Sequence, residues 1–417
     1  MHKIERLLQT LAPKGVEFKT LEEVFEIKNG YTPSKNNPEF WEKGTIPWFR
    51  MEDIRENGRI LKDSIQHITP KALKGKKLFP KNSIIISTTA TIGEHALLIV
   101  DSLANQRFTF LSKKANCGIA LDMKFFFYQC FLLGEWCKKN TNVSGFASVD
   151  MTAFKKYKFP IPPLEIQQEI VKILDAFTEL NTELNTELKA RKKQYEYYQN
   201  MLLDFKDIHL NHQDAKMSTK TYPKRLKTLL QTLAPKGVEF RKLGEVINIL
   251  KGKQLNKELL LDYGEYPVMN GGIYASGYWN EYNTDYPKII ISQGGASAGY
   301  VNYMTSKFWA GAHCYAIELN SEKLNYKFLY YFLKNSQTIL MKSQFGAGIP
   351  ALNKADIETL TIPIPPLEIQ QEIVKILDQF LALTTDLLAG IPAEIKARKK
   401  QYEYYREKLL SFKPLKA

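Results

Sequence analysis

One stretch of this chain occurs twice, and any fold must accommodate both copies. PIPPLEIQQEIVKILD spans Pro160–Asp175 and returns at Pro363–Asp378; KARKKQYEYY spans Lys189–Tyr198 and returns at Lys396–Tyr405. In each copy apolar residues recur three and four apart, the pattern of a long helix with one buried seam. The first seam runs from Ile166 through Ile170, Ile173, Phe177, Leu184 and Tyr198 to Phe205. The second runs from Ile369 through Ile373, Phe380, Leu383, Leu387, Ile391 and Tyr402 to Phe412, one turn longer. Two helices of about 60 to 70 Å each exceed what one small core can cover. An antiparallel pair sealing each other's seam is the economical solution. Gly390 and Pro392 interrupt the second copy, so a kink or restart is expected there.

A second repeat shows how the rest is cut. LLQTLAPKGVEF occurs at Leu7–Phe18 and Leu229–Phe240, each time opening a globular segment that ends in a copy of the long helix. The chain therefore reads as a tandem duplication. The expected boundaries are a first globular domain at 1–159, a first helix at 160–206, a linker at 207–222, a second domain at 223–362 and a second helix at 363–417. The arrangement is circular in character, because Leu7–Phe18 lacks the preceding helix that Leu229–Phe240 has. Both globular segments mix apolar runs of strand type, Ser83–Ser87 and Ile289–Ser292, with helical spacing at Leu121–Trp136 and Leu324–Met341. The fold class is α+β, with no strand order derivable.

Charge narrows the function. With 58 Lys+Arg against 44 Asp+Glu, the 417-residue chain carries +14, which points to an acidic partner, most commonly nucleic acid. No apolar run approaches the roughly 18 residues of a spanning helix, so no membrane partner is expected. The opening Met1-His2-Lys3 does not read as a secretory signal, which predicts a cytoplasmic protein. Cys117, Cys130, Cys137 and Cys314 show no CxxC spacing; they are expected to be reduced and structural, with no metal.

No reaction centre is visible. Phe345-Gly346-Ala347-Gly348 resembles a glycine loop, but the first half has Ser144-Gly145-Phe146-Ala147 at the equivalent place, and a lone Gly pair is more often a turn. Gly271-Gly272 and Gly294-Gly295 open no phosphate loop, and Pro162-Pro163 and Pro365-Pro366 read as helix starts. His95 and His313 lie in roughly corresponding regions without acid partners, and read as hydrogen bonders rather than bases. No cofactor is expected. What the loops do contain is basic residues among amides and aromatics: Lys35, Asn36, Asn37, Arg50, Arg55 and Arg59 in the first half, and Lys251, Lys253, Gln254, Lys257, Asn270, Tyr274, Gln293 and Gln344 in the second. Lys and Arg neutralise phosphates, and Asn, Gln and Arg can read base edges. These residues are the candidate DNA-binding set.

The duplicated helices, the tetrads Thr178-Glu179-Leu180-Asn181 and Thr182-Glu183-Leu184-Asn185, the elements Thr32-Pro33-Ser34 and Ile46-Pro47-Trp48, and the Gly390-Ile391-Pro392 interruption together resemble the DNA-specificity subunit of type I restriction-modification systems. That resemblance covers essentially the whole chain. It implies two target-recognition domains held apart by two conserved helices in an antiparallel coiled coil, each domain reading half of a split site in double-stranded DNA. It further implies a non-catalytic subunit that recruits two adenine methyltransferase subunits and, in the full enzyme, two ATP-driven restriction (translocase-nuclease) subunits. Lys192, Lys193, Lys399 and Lys400, repeated on the outer faces of the helices, are the candidate partner-binding residues. The second domain has Lys253-Gln254-Leu255 and Tyr266-Pro267-Val268 where the first has its Thr-Pro-Ser and Ile-Pro-Trp elements, so the two half-sites should differ. The alternatives are a coiled-coil scaffold without DNA affinity and an enzyme acting alone.

Overall fold

The computed structural model describes residues 2–142, 147–205, 222–346, 350–385 and 390–415. Most of the expected linker, the first-half Ser144-Gly145-Phe146, Leu387 and the Ala347-Gly348 half of the glycine loop lie outside them. The chain divides into two compact units, Met1–Glu183 with Ile395–Ala417, and Leu184–Glu394. The division does not follow the linear boundaries: each unit holds one globular segment with a part of each long helix.

In the first unit a five-stranded sheet has the order Phe25–Asn29, Phe108–Lys113, Ile84–Ser87, His95–Leu98, Ile60–Leu61. Its central strands are buried on both faces, which is why they read as apolar runs rather than as alternation. Successive side chains still point to opposite sides. Ile84 and Ile86 join the helix Met123–Lys139 through Phe125, Phe126, Cys130 and Leu133, while Ile85 joins Phe49, Phe108 and Phe110 on the other face. There the sheet is covered by a smaller one of order His67–Ile68, Ile46–Phe49, Leu103–Ala104. The helix comes close because Gly134 faces Gly93: a Cβ on either would stand 2.5 Å from the other's carbonyl oxygen.

The second unit repeats this frame. Its sheet runs Ile247–Lys251, Cys314–Leu319, Lys288–Ser292, Val301–Met304, beside a smaller sheet of order Gly277–Trp279, Tyr266–Met269, Trp309–Ala310. The helix Tyr326–Asn335 and the short Gln337–Lys342 stand where the first unit has one unbroken helix.

The two sequence repeats meet in space. Glu17–Thr20, at the end of the opening motif, pairs with Lys158–Ile161, which leads into the first long helix, and Phe18 faces Pro160. Glu239–Lys242 pairs with Thr361–Ile364 in the same register, Phe240 facing Pro363. The first glutamine of each LEIQQ locks the corner. Buried Gln167 accepts from Asp122 N–H and donates to the carbonyls of Ala120 and Pro162. Gln370 does the same with Asn325, Lys323 and Pro365. A second tie is equally duplicated. Asp175 accepts from Tyr128 Oη at 2.7 Å and Lys124 Nζ at 2.6 Å; Asp378 accepts from Tyr331 Oη and from Lys327 Nζ at 2.7 Å. Burial, followed by the neighbouring carboxylate, pushes both phenols well above their usual range, so they remain donors.

The first long helix is continuous over Leu164–Leu203. The second is divided into Leu367–Thr385 and Ile391–Leu410, restarting with Pro392 in its first turn, where the missing N–H costs nothing. Every seam residue of the first copy is buried or half-buried. In the second copy Leu383 departs from the expected seam: it is exposed, and its neighbour Thr384 is buried in its place, the hydroxyl donating to Phe380 O. A threonine can be buried there because the preceding turn accepts its proton.

Equivalent rings pair reciprocally. Phe177 stacks on Tyr405 with centroids 5.5 Å apart in the first unit, and Phe380 on Tyr198 at 5.1 Å in the second. In each unit, then, the phenylalanine of one copy meets the tyrosine of the other. The circular character also appears. The helix His2–Leu11 packs through Ile4, Leu7 and Leu8 in one core with Leu409, Leu410 and Phe412, from the end of the second copy. Lys224–Leu233 packs through Leu226 and Leu230 with Leu202, Leu203 and Phe205, from the end of the first.

Candidate nucleic-acid interface

In the first unit the strand Ile46–Phe49 ends at Arg50, which precedes the helix Met51–Asn57. The buried carboxylate of Asp53 fixes this corner, accepting from Arg50 N–H and Ile65 N–H, both at 2.6 Å. Trp48 donates its indole N–H to Tyr31 O and Trp41 to Ser34 O, with the rings edge to face at 5.0 Å. The Thr-Pro-Ser and Ile-Pro-Trp elements are thus one structure. It frames a cleft of about 390 Å³ lined by Lys35, Trp41, Trp48, Arg50 and Gln66. An adjoining cleft of about 250 Å³ shares Lys35, Trp48 and Arg50 and adds Thr32, Gln106 and Arg107. Arg50 Nε is buried without a hydrogen-bond partner; the nearest carboxylate oxygen, of Glu52, is 3.9 Å away. Lys35, Arg50 and Arg107 line these clefts together with Glu42 and Glu52, and one donor of the Arg50 guanidinium is left unpaired.

The remaining candidates of the first half divide. Lys35, Asn36 and Arg55 are exposed. Asn37 caps the turn Pro38–Phe40 by accepting from Glu39 N–H. Arg59 is half-buried and engaged within the fold, paired with Glu94 at 2.5 Å and donating to His95 O. His95 itself is buried between Phe127 and Phe131. Burial first, and then the Arg59 charge, lower its pKa to about 3, so it stays neutral as a core residue. Thr32 entered the sequence analysis only within its Thr-Pro-Ser element, and Arg107 and Gln106 escaped it. Their signal was the run Asn105-Gln106-Arg107 between two apolar strands.

In the second unit, Lys251, Lys253, Gln254, Lys257 and Tyr274 are exposed. Gln344 is half-buried and donates to Ala298 O at 2.6 Å. Asn270 and Gln293 come together around His313: Asn270 Oδ1 accepts from His313 N–H at 3.2 Å, and Gln293 N–H donates to His313 O at 2.8 Å. Gln293 Oε1 is buried with no hydrogen-bond partner. By strand position Asn270 stands where the first unit has Arg50, and His313 where it has Arg107. His313 therefore does not correspond to His95, which lies inside a strand. Among the described residues no three His, Cys, Asp or Glu side chains gather into a metal-binding group, and no helix is long and apolar enough to cross a membrane.

Two regions of the chain, 13–192 and 235–397, match the type I restriction modification DNA specificity domain. The chain belongs to the type I restriction-modification specificity-subunit family. It is 41% identical over 404 residues to the type I restriction enzyme EcoprrI specificity subunit of Escherichia coli, covering 93% of each chain. It is 26% identical to the MjaIX specificity subunit of Methanocaldococcus jannaschii, over 86% of this chain and 85% of that one. The fold is also that of solved S subunits. The chain aligns with one from M. genitalium at a TM-score of 0.55 and 21% identity, covering 95% and 96% of the two chains. It aligns with a chain from a study of type I complex assembly and conformational transition at 0.61 and 19%, covering 95% and 97%. A specificity subunit is the non-catalytic, DNA-recognising member of its system, which sets aside the free-standing enzyme and the bare scaffold. The matched regions each take in one globular segment and run into a long helix, so the duplication read from the sequence is a duplication of the family's domain.

Proposed function

We propose that this specificity subunit acts in the cytoplasm on a split, non-palindromic site in duplex DNA, each globular domain binding one half. Two methyltransferase subunits supply adenine methylation, and two restriction subunits join them in the full complex. One observation carries the reading: two domains built on one frame present different side chains at matched places, Arg50 and Arg107 in one, Asn270 and His313 in the other. Lys35, Lys251, Lys253 and Lys257 are suited to neutralise phosphates, a contribution that falls steeply with salt. Asn37, Arg59, Asn270 and Gln344 have partners within their own unit, and their part is to hold the loops.

The purified chain is expected to transfer no methyl groups, and to yield methylated adenines at a split site once its methyltransferase subunits are added. Exchanging residues 20–158 for those of another family member should change one half of that site. Methyl transfer by the chain alone, or a change in both halves, would refute the reading.

The duplication supports a docking surface for the partners on the outer faces of the long helices. Lys192, Lys193, Lys399 and Lys400 are all exposed, and a face present in both copies can offer equivalent patches to two copies of one partner. Replacing all four lysines by Glu should abolish co-purification with the methyltransferase subunits while leaving the thermal midpoint of the isolated chain within a few degrees. Undiminished co-purification would show these lysines to be solvated flank.

A further inference from the structure

One tight turn is built alike in both domains and carries a different outward residue in each. In the first unit Asn105 N–H donates to Phe49 O, Phe108 N–H to Asn105 O and Thr88 N–H to Arg107 O, each at 3.1 Å. In the second, Gly311 N–H donates to Met269 O, Cys314 N–H to Gly311 O and Gln293 N–H to His313 O, at 2.8, 3.0 and 2.8 Å. What differs is the support for the outward residue's own N–H. Arg107 N–H is held by Asn105 Oδ1 from within the turn, at 3.0 Å. His313 N–H is held by Asn270 Oδ1 from the neighbouring strand. The two supports exclude each other, because a Cβ at Gly311 would stand 2.5 Å from Asn270 Oδ1. An amide has been transposed, and the turn has kept its shape. The transposition also leaves the strand-end position free to be Arg50 in the first unit.

We propose that this turn residue determines the specificity of each domain: Arg107 selects a guanine in the first half-site, and His313 occupies the corresponding place over the second. The inference rests on the reading that the domains bind split DNA sites. Both side chains are exposed, and their backbones are tied on the N–H and C=O sides alike. A phosphate contact tolerates a mobile origin, but a two-point contact to a base edge needs a fixed one. Arg107 supplies two parallel donors, matching the O6 and N7 acceptors of guanine in the major groove. Lys35 and Arg50, lining the same cleft, are placed for the flanking phosphates. An imidazole offers one nitrogen at a time in a given direction, so the second domain cannot make the same two-point contact.

The test uses the assembled complex with its methyltransferase subunits, once the methylated site has been mapped. Competition binding is measured with duplexes in which each base pair of the first half-site is exchanged in turn, for the wild type, Arg107→Ala and Arg107→Lys. At one guanine the wild type should discriminate roughly tenfold to a hundredfold. Arg107→Ala should lose that discrimination alone, and Arg107→Lys should keep only part of it. His313→Ala should relax one position of the second half-site and none of the first. Selectivity retained at every position of the first half-site by Arg107→Ala, with affinity falling evenly, would overturn the proposal and make Arg107 a phosphate contact. A wild-type complex with no split site would instead overturn the functional reading, and this inference with it.

Discussion

Four residues added within Thr178–Lys189 should lengthen the gap between the two methylated half-sites by one or two base pairs and leave both half-sites unaltered, whereas two residues added there should abolish methylation. The segment lies inside an uninterrupted helix, Leu164–Leu203. Four residues add roughly 6 Å at 1.5 Å each, against about 3.4 Å per base pair, and a helix lying oblique to the duplex delivers less. They also turn the helix by about 400°, little more than a full revolution, so a seam extended by one tetrad stays nearly in phase. Two residues turn it by about 200°. Phe177 and Tyr198, each stacked on a ring of the second copy, would then point to opposite sides of the helix, and one stacking would be lost along with the seam beyond it. Mapping methylated sites for the two insertions decides the matter. An unaltered gap after the tetrad insertion would show that the helices are not the ruler.

The duplicated Asp–Tyr–Lys tie predicts a large stability effect. Asp378→Ala removes the acceptor of Tyr331, which is fully buried, and of Lys327. A buried hydroxyl left without a partner costs about 1 to 3 kcal/mol. The lysine adds little, because it and the carboxylate are both more than a third exposed and solvent screens them. For a unit of about 200 residues, such as the Leu184–Glu394 unit that holds Asp378, the thermal midpoint should fall by about 2 to 4 °C per kcal/mol. Asp378→Asn keeps an acceptor for the phenol and should recover most of the loss. Asp175→Ala should act alike through Tyr128. Thermal unfolding of the three variants checks this, and an Asp378→Ala midpoint equal to wild type would show that the tie contributes nothing. The tie joins the domain helix to the long helix in each unit, so Asp378→Ala should also blur selection in one half-site before the chain unfolds.

Much of this architecture was legible because it is written locally. Helical period, strand-like runs and tandem repeats are properties of neighbouring residues, and the seam from Ile166 to Phe205 is buried or half-buried as its spacing required. The exception is Leu383, which is exposed beside the buried Thr384. Spacing fixes an apolar residue's place on a helix to within one position, and Thr384 could take the buried place because its hydroxyl was satisfied by the preceding turn. The DNA-binding candidates were legible as a composition of loops but not as a constellation. Arg59 looked as available as Arg50 until Glu94 and the His95 carbonyl were seen to hold it. Arg107 went unnoticed because its neighbours in the cleft, Thr32, Lys35 and Arg50, are distant in sequence.

By itself the sequence determined the duplication, the two long helices, the mixed α and β domains, the net charge and the family, since repeats, period and motif are one-dimensional and survive without coordinates. Only the tertiary structure decided that the end of the second helix packs with the first domain, and that the opening motif is a strand laid against the entry to the long helix. It alone revealed the amide moved from Asn105 in one domain to Asn270 in the other. Each of these is a pairing between residues far apart along the chain. Such pairings depend on which surfaces are brought together to exclude water and satisfy buried polar groups, and local sequence does not record them.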